Sequence, residues 1–335
     1  KDRYPSARWI GSRFENNRND SGEARCRWVI QDFATSDGDS LYFTPTPDKA
    51  QVELLHIHAA AHGLEVRYFD ENRAFPHGPE LELILTNAPD GCGYPEGSVV
   101  RLLRKINGRR DGSRAYVDYA AAHIKTEVHM QQGRLHPCGF SKISSDGGRV
   151  NIVKHIDDSA TSGTPEELDK LAVDLGKGMS LRCTGTLPAH GKFADNDWQN
   201  FLSRERKREG ATLIKRPKQN FVEECCGVLG MVPGDFKVAE LPSSKELQRL
   251  EGPELNKLEY GKFRTVMGKL TFIQEDLVAG EYTWQELSKE VCTPTEASMA
   301  RLKHFIRFLY GHRDTVQLQK VDKHERVIRV KVDSN

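Results

Sequence analysis

Three carboxylates stand where they could converge on a divalent cation. Asp157 and Asp158 are adjacent and follow a β-branched run containing Val150, Ile152, Val153 and Ile156, while Asp70 ends the run 64–69, apolar at Leu64, Val66, Tyr68 and Phe69. The β-branched run, the doublet and the polar stretch closing at Gly163 predict a β-hairpin with the doublet at its tip. Adjacent residues on extended backbone point to opposite faces, so using both carboxylates requires the chain to turn, and a hairpin tip supplies that turn. A strand ending at Asp70 and lying beside this hairpin would bring three acidic groups together. Their mutual repulsion makes a divalent cation the natural partner. Taken alone, the doublet also reads as an ordinary surface turn.

Basic residues supply the second kind of chemistry. Arg25 and Arg27 fall on one face of a predicted strand and could clamp a phosphate chain, though solvent-facing arginines are an equal reading of that stretch. Lys105, Arg109, Arg110 and Arg114 form the densest positive cluster of the first half and suggest contact with a polyanion, with a solvated basic loop as the alternative. His58 and His62 stand four apart, but no His-Glu-x-x-His pattern accompanies them, and packing or surface roles are the simpler reading.

Positioning these groups falls to a chain of 335 residues, long enough for a sizeable core and two or three subdomains. Its formal net charge is only +1, so nucleic-acid binding rests on local clusters rather than on the total. No apolar run approaches the roughly 20 residues of a membrane span, so no membrane partner is expected. Seven Cys show no repeated short spacing, which points to a reducing compartment.

Thr46 is the expected cap, and Pro47 the first residue, of a helix reaching His62, with Val52, Leu55 and Ala59 on one side and Gly63 ending it. Thr164 opens a helix after the acidic hairpin with a capping-box pattern. Composition changes near Gly185, dividing the chain into 1–185 and 186–329. In the second part, helices are expected over 217–229, ended by Gly230, and through 260–272. A last helix is capped at Thr293-Pro-Thr-Glu296, lined by Met299, Leu302, Ile306 and Leu309, and stopped at Gly311.

An ordered series of segments resembles one known family. It runs through Ala7-Arg-Trp-Ile10, Ala24-Arg-Cys-Arg-Trp-Val29, Phe43-Thr-Pro-Thr-Pro47, Phe69-Asp-Glu-Asn-Arg-Ala-Phe75, Gly108-Arg-Arg-Asp-Gly-Ser-Arg114, Pro137-Cys138 and His155-Ile-Asp-Asp158. It continues through Tyr260-Gly-Lys-Phe-Arg-Thr-Val-Met-Gly-Lys-Leu270, Pro294-Thr-Glu-Ala297 and Leu302-Lys-His-Phe-Ile-Arg-Phe-Leu-Tyr-Gly311. The series resembles the reverse transcriptase region of Ty1/copia-type retrotransposon polyproteins, especially the divergent type of dinoflagellate genomes.

The resemblance implies an α+β right-hand polymerase. Fingers and palm would occupy 1–185, with an antiparallel palm sheet packed on helices. A mainly helical thumb or connection would follow over 186–329, and 330–335 would resemble the opening strand of a ribonuclease H-like domain. The implied activity is RNA-directed DNA polymerisation, with Asp70, Asp157 and Asp158 catalytic and two Mg²⁺ ions, or Mn²⁺, held by Asp70 and Asp157. Phe75 falls on the aromatic that discriminates deoxyribose from ribose, and Arg25 and Arg27 on the basic finger strand at the triphosphate. Asp111 stands near the nucleotide where the family carries glutamine, and His155-Ile156 where it carries Tyr-Val. The implied partners are an RNA or DNA template with primer and dNTPs, with room for a homo-oligomer, inside the cell in a cytoplasmic particle or the nucleus. Two alternatives stay open: a catalytically silent nucleic-acid-binding or structural descendant of such an element, and a Mg²⁺-dependent nuclease or other phosphotransferase. The segment would be either a piece of a polyprotein or a shortened descendant.

Overall fold

A computed structural model describes residues 7–18, 24–33, 42–144, 147–192, 197–218, 220–276 and 279–321. The chain divides into two compact units between Gly191 and Lys192, and the second unit ends at Val321. Residues 330–335, with the expected opening strand, lie outside the described residues.

The first unit runs β1 (Arg8–Trp9), β2 (Ser12–Arg18), β3 (Ala24–Ile30), α1 (Lys49–His62), β4 (Glu65–Glu71), a 3-10 turn Phe75–His77, β5 (Ile84–Asn87), β6 (Val99–Arg101) and α2 (Gly112–Thr126). It continues through β7 (Gln131–Gln132), β8 (Gly139–Ile143), β9 (Arg149–His155), β10 (Asp158–Gly163), α3 (Pro165–Gly176) and β11 (Leu181–Leu187). Its main sheet has six strands in the order β11-β4-β10-β9-β8-β7, every neighbouring pair antiparallel. The strands β1, β5 and β6 form a second sheet, and β2 pairs with β3.

Side-chain alternation on β4 decides what covers each face of the main sheet. Tyr68 hydrogen-bonds His56 of α1 at 2.7 Å. Its neighbour Arg67 points the other way and pairs with Asp169 of α3 at 2.6 Å. One face therefore carries α1 and the other α2 and α3. Leu168, Leu171 and Leu175 recur at helical spacing on α3 and join Tyr116, Ile124, Phe140, Val150 and Ile152 in the core beneath the sheet. Each such buried side chain contributes about 1.5–3 kcal/mol relative to exposure.

The start of α1 corrects the expected cap. Asp48, extended at φ −71° and ψ 161°, accepts from the Gln51 backbone N–H, so Thr46 and Pro47 precede the helix. The carboxylate of Asp48 stands one residue before Lys49 and offers the longer reach to a free N–H. At the other end Gly63 adopts φ 65° and closes the helix as expected.

The second unit comprises β12 (Gln199–Phe201), β13 (Arg204–Glu209), β14 (Thr212–Pro217), α4 (Phe221–Leu229), α5 (Lys245–Gln248), α6 (Lys257–Ile273), α7 (Glu281–Lys289), α8 (Glu296–Gly311) and β15 (Gln317–Lys320). Pro217 ends a strand rather than opening a helix, and the helix expected there begins at Phe221. Strand β13 alternates Arg204, Arg206 and Arg208 inward with Glu205, Lys207 and Glu209 outward in a four-stranded antiparallel sheet, β12-β13-β14-β15. The helices enclose an apolar core built on Phe263, Val266, Leu270, Leu302, Phe305 and Ile306. Thr295 and Ser298 complete a capping box at the start of α8.

One backbone junction in the first unit has no slack. Gly108 sits at φ 86°, and a Cβ there would overlap the Ile30 carbonyl oxygen and the Val29 side chain. The same strand end is fixed by the Ile30 N–H donating to the Asn107 carbonyl at 2.8 Å. Both the left-handed conformation and the backbone contact oppose a side chain, so Gly108→Ala is expected to destabilise the first unit by about 3 kcal/mol or more. Urea unfolding of the variant reads this directly. A shift of about 1 kcal/mol or less would mean that the Ile30–Asn107 contact yields easily.

Candidate active site

Strands β4 and β10 lie side by side in the main sheet with Asp70 directly opposite Asp158. Asp158 is in turn opposite His155 of β9, so β9 and β10 are joined by the two-residue turn Ile156-Asp157. Ile156 carries φ 51°, the left-handed region that a β-branched side chain avoids, and the strain is of order 1–3 kcal/mol. The Glu71 N–H donates to the Asp157 carbonyl at 3.0 Å and ties this turn to the end of β4.

Register places four side chains in one row across four strands: Arg182 of β11, Asp70 of β4, Asp158 of β10 and His155 of β9. This row is on the α1 side of the sheet, yet α1 leaves it accessible. The helix crosses obliquely, with Gln51 near its start against Gly139 of β8 and Gly63 at its end against His190. The Asp70 side chain remains 30% exposed, and Arg182 donates to its Oδ2 at 3.4 Å. Asp157 is exposed and Asp158 half-buried.

The electrostatics follow from this crowding. Burial, then the charges of Asp157 and Asp70, push the Asp158 carboxyl up to about 6, against a smaller opposing pull from His155 and Lys154. Behind the row, Glu71 is pushed up to about 6 by burial, opposed by its ion pair with Lys154 and reinforced by Asp157 and Asp70. Excess negative charge at one sheet corner, carried by hard oxygen donors, is the donor chemistry that Mg²⁺ takes. The three carboxylates are not drawn into one closed shell. Among the described residues, no group of three or more His, Cys, Asp or Glu side chains is arranged to hold a metal ion.

Sequence reasoning passed over Glu71, Lys154 and Arg182. Glu71 and Lys154 are chain neighbours of Asp70 and His155, and a charged residue inside each apolar strand was the available signal. Arg182 is recognisable only from the pairing of β11 with β4.

The remaining candidates lie on other elements of the first unit. Phe75 opens the 3-10 turn, partly buried, with its ring against Gly112 at the start of α2 and against the core that contains Tyr116. Arg27 is exposed on β3 opposite Glu15. Arg25 pairs with Asn17 through the backbone, and its side chain lies outside the described residues.

The basic turn divides into two pairs. Lys105 and Arg109 are buried. Lys105 donates to Glu80 at 2.9 Å and Asp111 at 2.5 Å, and Arg109 pairs with Asp32 at 2.7 Å and Glu80 at 2.9 Å. Their charges serve this internal network rather than a basic surface. Arg110 and Arg114 are partly exposed: Arg110 lies over the Tyr42 ring at 4.0 Å, and Arg114 pairs with Asp118 at 2.8 Å.

Asp111 is therefore matched by Lys105 and Arg109, with the latter at 3.2 Å. The sequence alone suggests that Asp111→Gln should relieve repulsion and improve nucleotide or template affinity at low salt. Its pairing reverses that expectation. Loss of the carboxylate leaves a buried ammonium short of one partner, and Asp111→Gln should lower stability by about 1–3 kcal/mol with affinity equal to wild type at both low and high salt. Thermal unfolding and salt-dependent binding titrations check both parts. A salt-sensitive gain in affinity would restore the repulsion reading.

Comparison with solved structures finds chains similar to this one. A foamy viral protease-reverse transcriptase solved in complex with double-stranded DNA is similar to this chain with a TM-score of 0.43 and 10% sequence identity, over 92% of this chain and 44% of that one. The chain thus spans less than half the length of that protein. No protein-family model matches the sequence. No curated protein matches it either.

Proposed function

We propose that the chain is an RNA-directed DNA polymerase that adds dNTPs to a primer 3′-hydroxyl, with Asp70, Asp157 and Asp158 at its active site. The observation that carries the reading is the register of the main sheet, in which Asp70 and Asp158 are directly opposed and Asp157 occupies the turn beside them. The ordered series of reverse transcriptase-like segments, which includes all three residues, supports it.

In this reading Asp70 and Asp157 would hold two Mg²⁺ ions, or Mn²⁺ in their place, and Asp158 would shape the corner beside them. When bound, the metal supplies charge neutralisation for the triphosphate and lowers the pKa of the primer hydroxyl. Arg182, now on Asp70, is placed to turn toward phosphate once that carboxylate is otherwise engaged. Phe75 would stand as the wall against C2′ of the incoming sugar. Arg25 and Arg27 would meet the triphosphate, and Arg110 and Arg114 the template or primer backbone, contacts that position strands while base pairing carries the sequence information. The fingers-and-palm and thumb assignments, and origin in a Ty1/copia-type polyprotein, belong to the same proposal.

Primer extension on an RNA template, with and without Mg²⁺, tests the assignment. Metal-dependent extension is expected. Binding of primer-template with no extension would favour the silent descendant, and cleavage of nucleic acid without dNTPs would favour a nuclease.

A further inference from the structure

On the face of the sheet opposite the carboxylate row lies an ion pair that the proposed chemistry does not use. Lys154 Nζ donates to Glu71 Oε1 at 2.6 Å, with side-chain exposures of 6% and 1%. The contact reaches from β9 to β4 and passes under β10, where Lys154 also donates to Ser159 Oγ at 3.4 Å. The ammonium stands 5.2 Å from the centre of the Tyr116 ring, which closes the pair off from below. Both partners are chain neighbours of the row: Glu71 follows Asp70, and Lys154 precedes His155.

Buried ion pairs are an inefficient source of stability, because desolvation offsets their attraction and apolar pairs of similar volume often fold as well. What such a pair does provide is a fixed distance and direction. Here that constraint spans the strands bearing Asp70, Asp158 and the Asp157 turn. We propose that Lys154 and Glu71 are positioning residues, a buried clasp that holds Asp70 and the Asp157-Asp158 turn at the separation metal binding and catalysis require. The inference rests on the polymerase reading and adds to it two residues that never touch substrate.

The decisive variant is the double substitution Lys154→Met/Glu71→Leu, which removes the clasp and leaves no unpaired charge. It is expected to keep the wild-type thermal midpoint or exceed it. Its Mn²⁺ affinity, read by electron paramagnetic resonance without nucleotide, should fall about tenfold, and kcat for single-nucleotide incorporation about a hundredfold with KM for dNTP little changed, as misplacement by about 1 Å does. The exchanged pair Glu71→Lys/Lys154→Glu restores an ion pair and should recover part of both losses, and it serves as the test if the apolar pair fails to fold. A folded apolar double variant equal to wild type in Mn²⁺ affinity and kcat would overturn the clasp. So would an exchanged pair that folds and recovers nothing. Wild-type protein that neither binds Mn²⁺ nor extends a primer would instead remove the polymerase reading, and the clasp's role with it.

Discussion

Asp157→Asn is expected to lower primer extension by at least about a hundredfold while leaving folding nearly unchanged. Asp157 is exposed in the two-residue turn, and its structural tie is its backbone carbonyl, which accepts from the Glu71 N–H at 3.0 Å and survives the substitution. Asparagine keeps the side-chain size and removes one negative charge from beside Asp70 and Asp158. Burial, the largest cause of the raised Asp158 carboxyl, persists in the variant, and relief of the Asp157 repulsion should bring that carboxyl part of the way down from about 6. An NMR titration of Asp158 would show this independently of catalysis. Substantial residual extension in a folded Asp157→Asn protein would remove Asp157 from the metal site.

Replacing Phe75 should change which sugar is accepted. The ring is only partly buried, so it packs the α2 end of the core and also presents an edge outside it. Phe75→Ala should cost about 1–3 kcal/mol of stability through lost packing. It should also raise the ratio of ribonucleotide to deoxyribonucleotide incorporation by about tenfold or more, since loss of a steric wall of this size is worth about 1–3 kcal/mol of discrimination. Phe75→Val, which fills more of the gap, should show a smaller stability loss and a similar change in selectivity. An unchanged ratio in active, folded variants would make Phe75 a core residue only.

The sequence and the structure agree where the signal is local. The β-branched run before Asp157 gives β9, the polar arm closing at Gly163 gives β10, and Thr164 caps α3 by accepting from the Glu167 N–H. The opposition of Asp70 and Asp158 comes from the pairing of β4 with β10, which the two runs make possible and do not by themselves specify.

What was not legible depends on partners far along the chain. Lys105 and Arg109 look like surface basic residues until Glu80 and Asp32 are placed beside them, the latter 77 residues away. Lys154 meets Glu71 across 83 residues. No local pattern encodes either pairing, because a buried charge is identified by its counterion and not by its neighbours in sequence. The left-handed Ile156 escaped for a different reason. Local preference puts glycine or asparagine at such a position, and here the tight turn between paired strands prevails over that preference.

The central claim is most directly tested by templated single-nucleotide incorporation. A DNA primer annealed to an RNA template would be offered each dNTP in turn, with Mg²⁺ and then with chelator. Extension is predicted for the complementary nucleotide alone, dependent on the metal and lost together in Asp70→Asn and Asp157→Asn. Wild-type protein that binds this primer-template and Mg²⁺ yet adds no nucleotide would contradict the polymerase assignment.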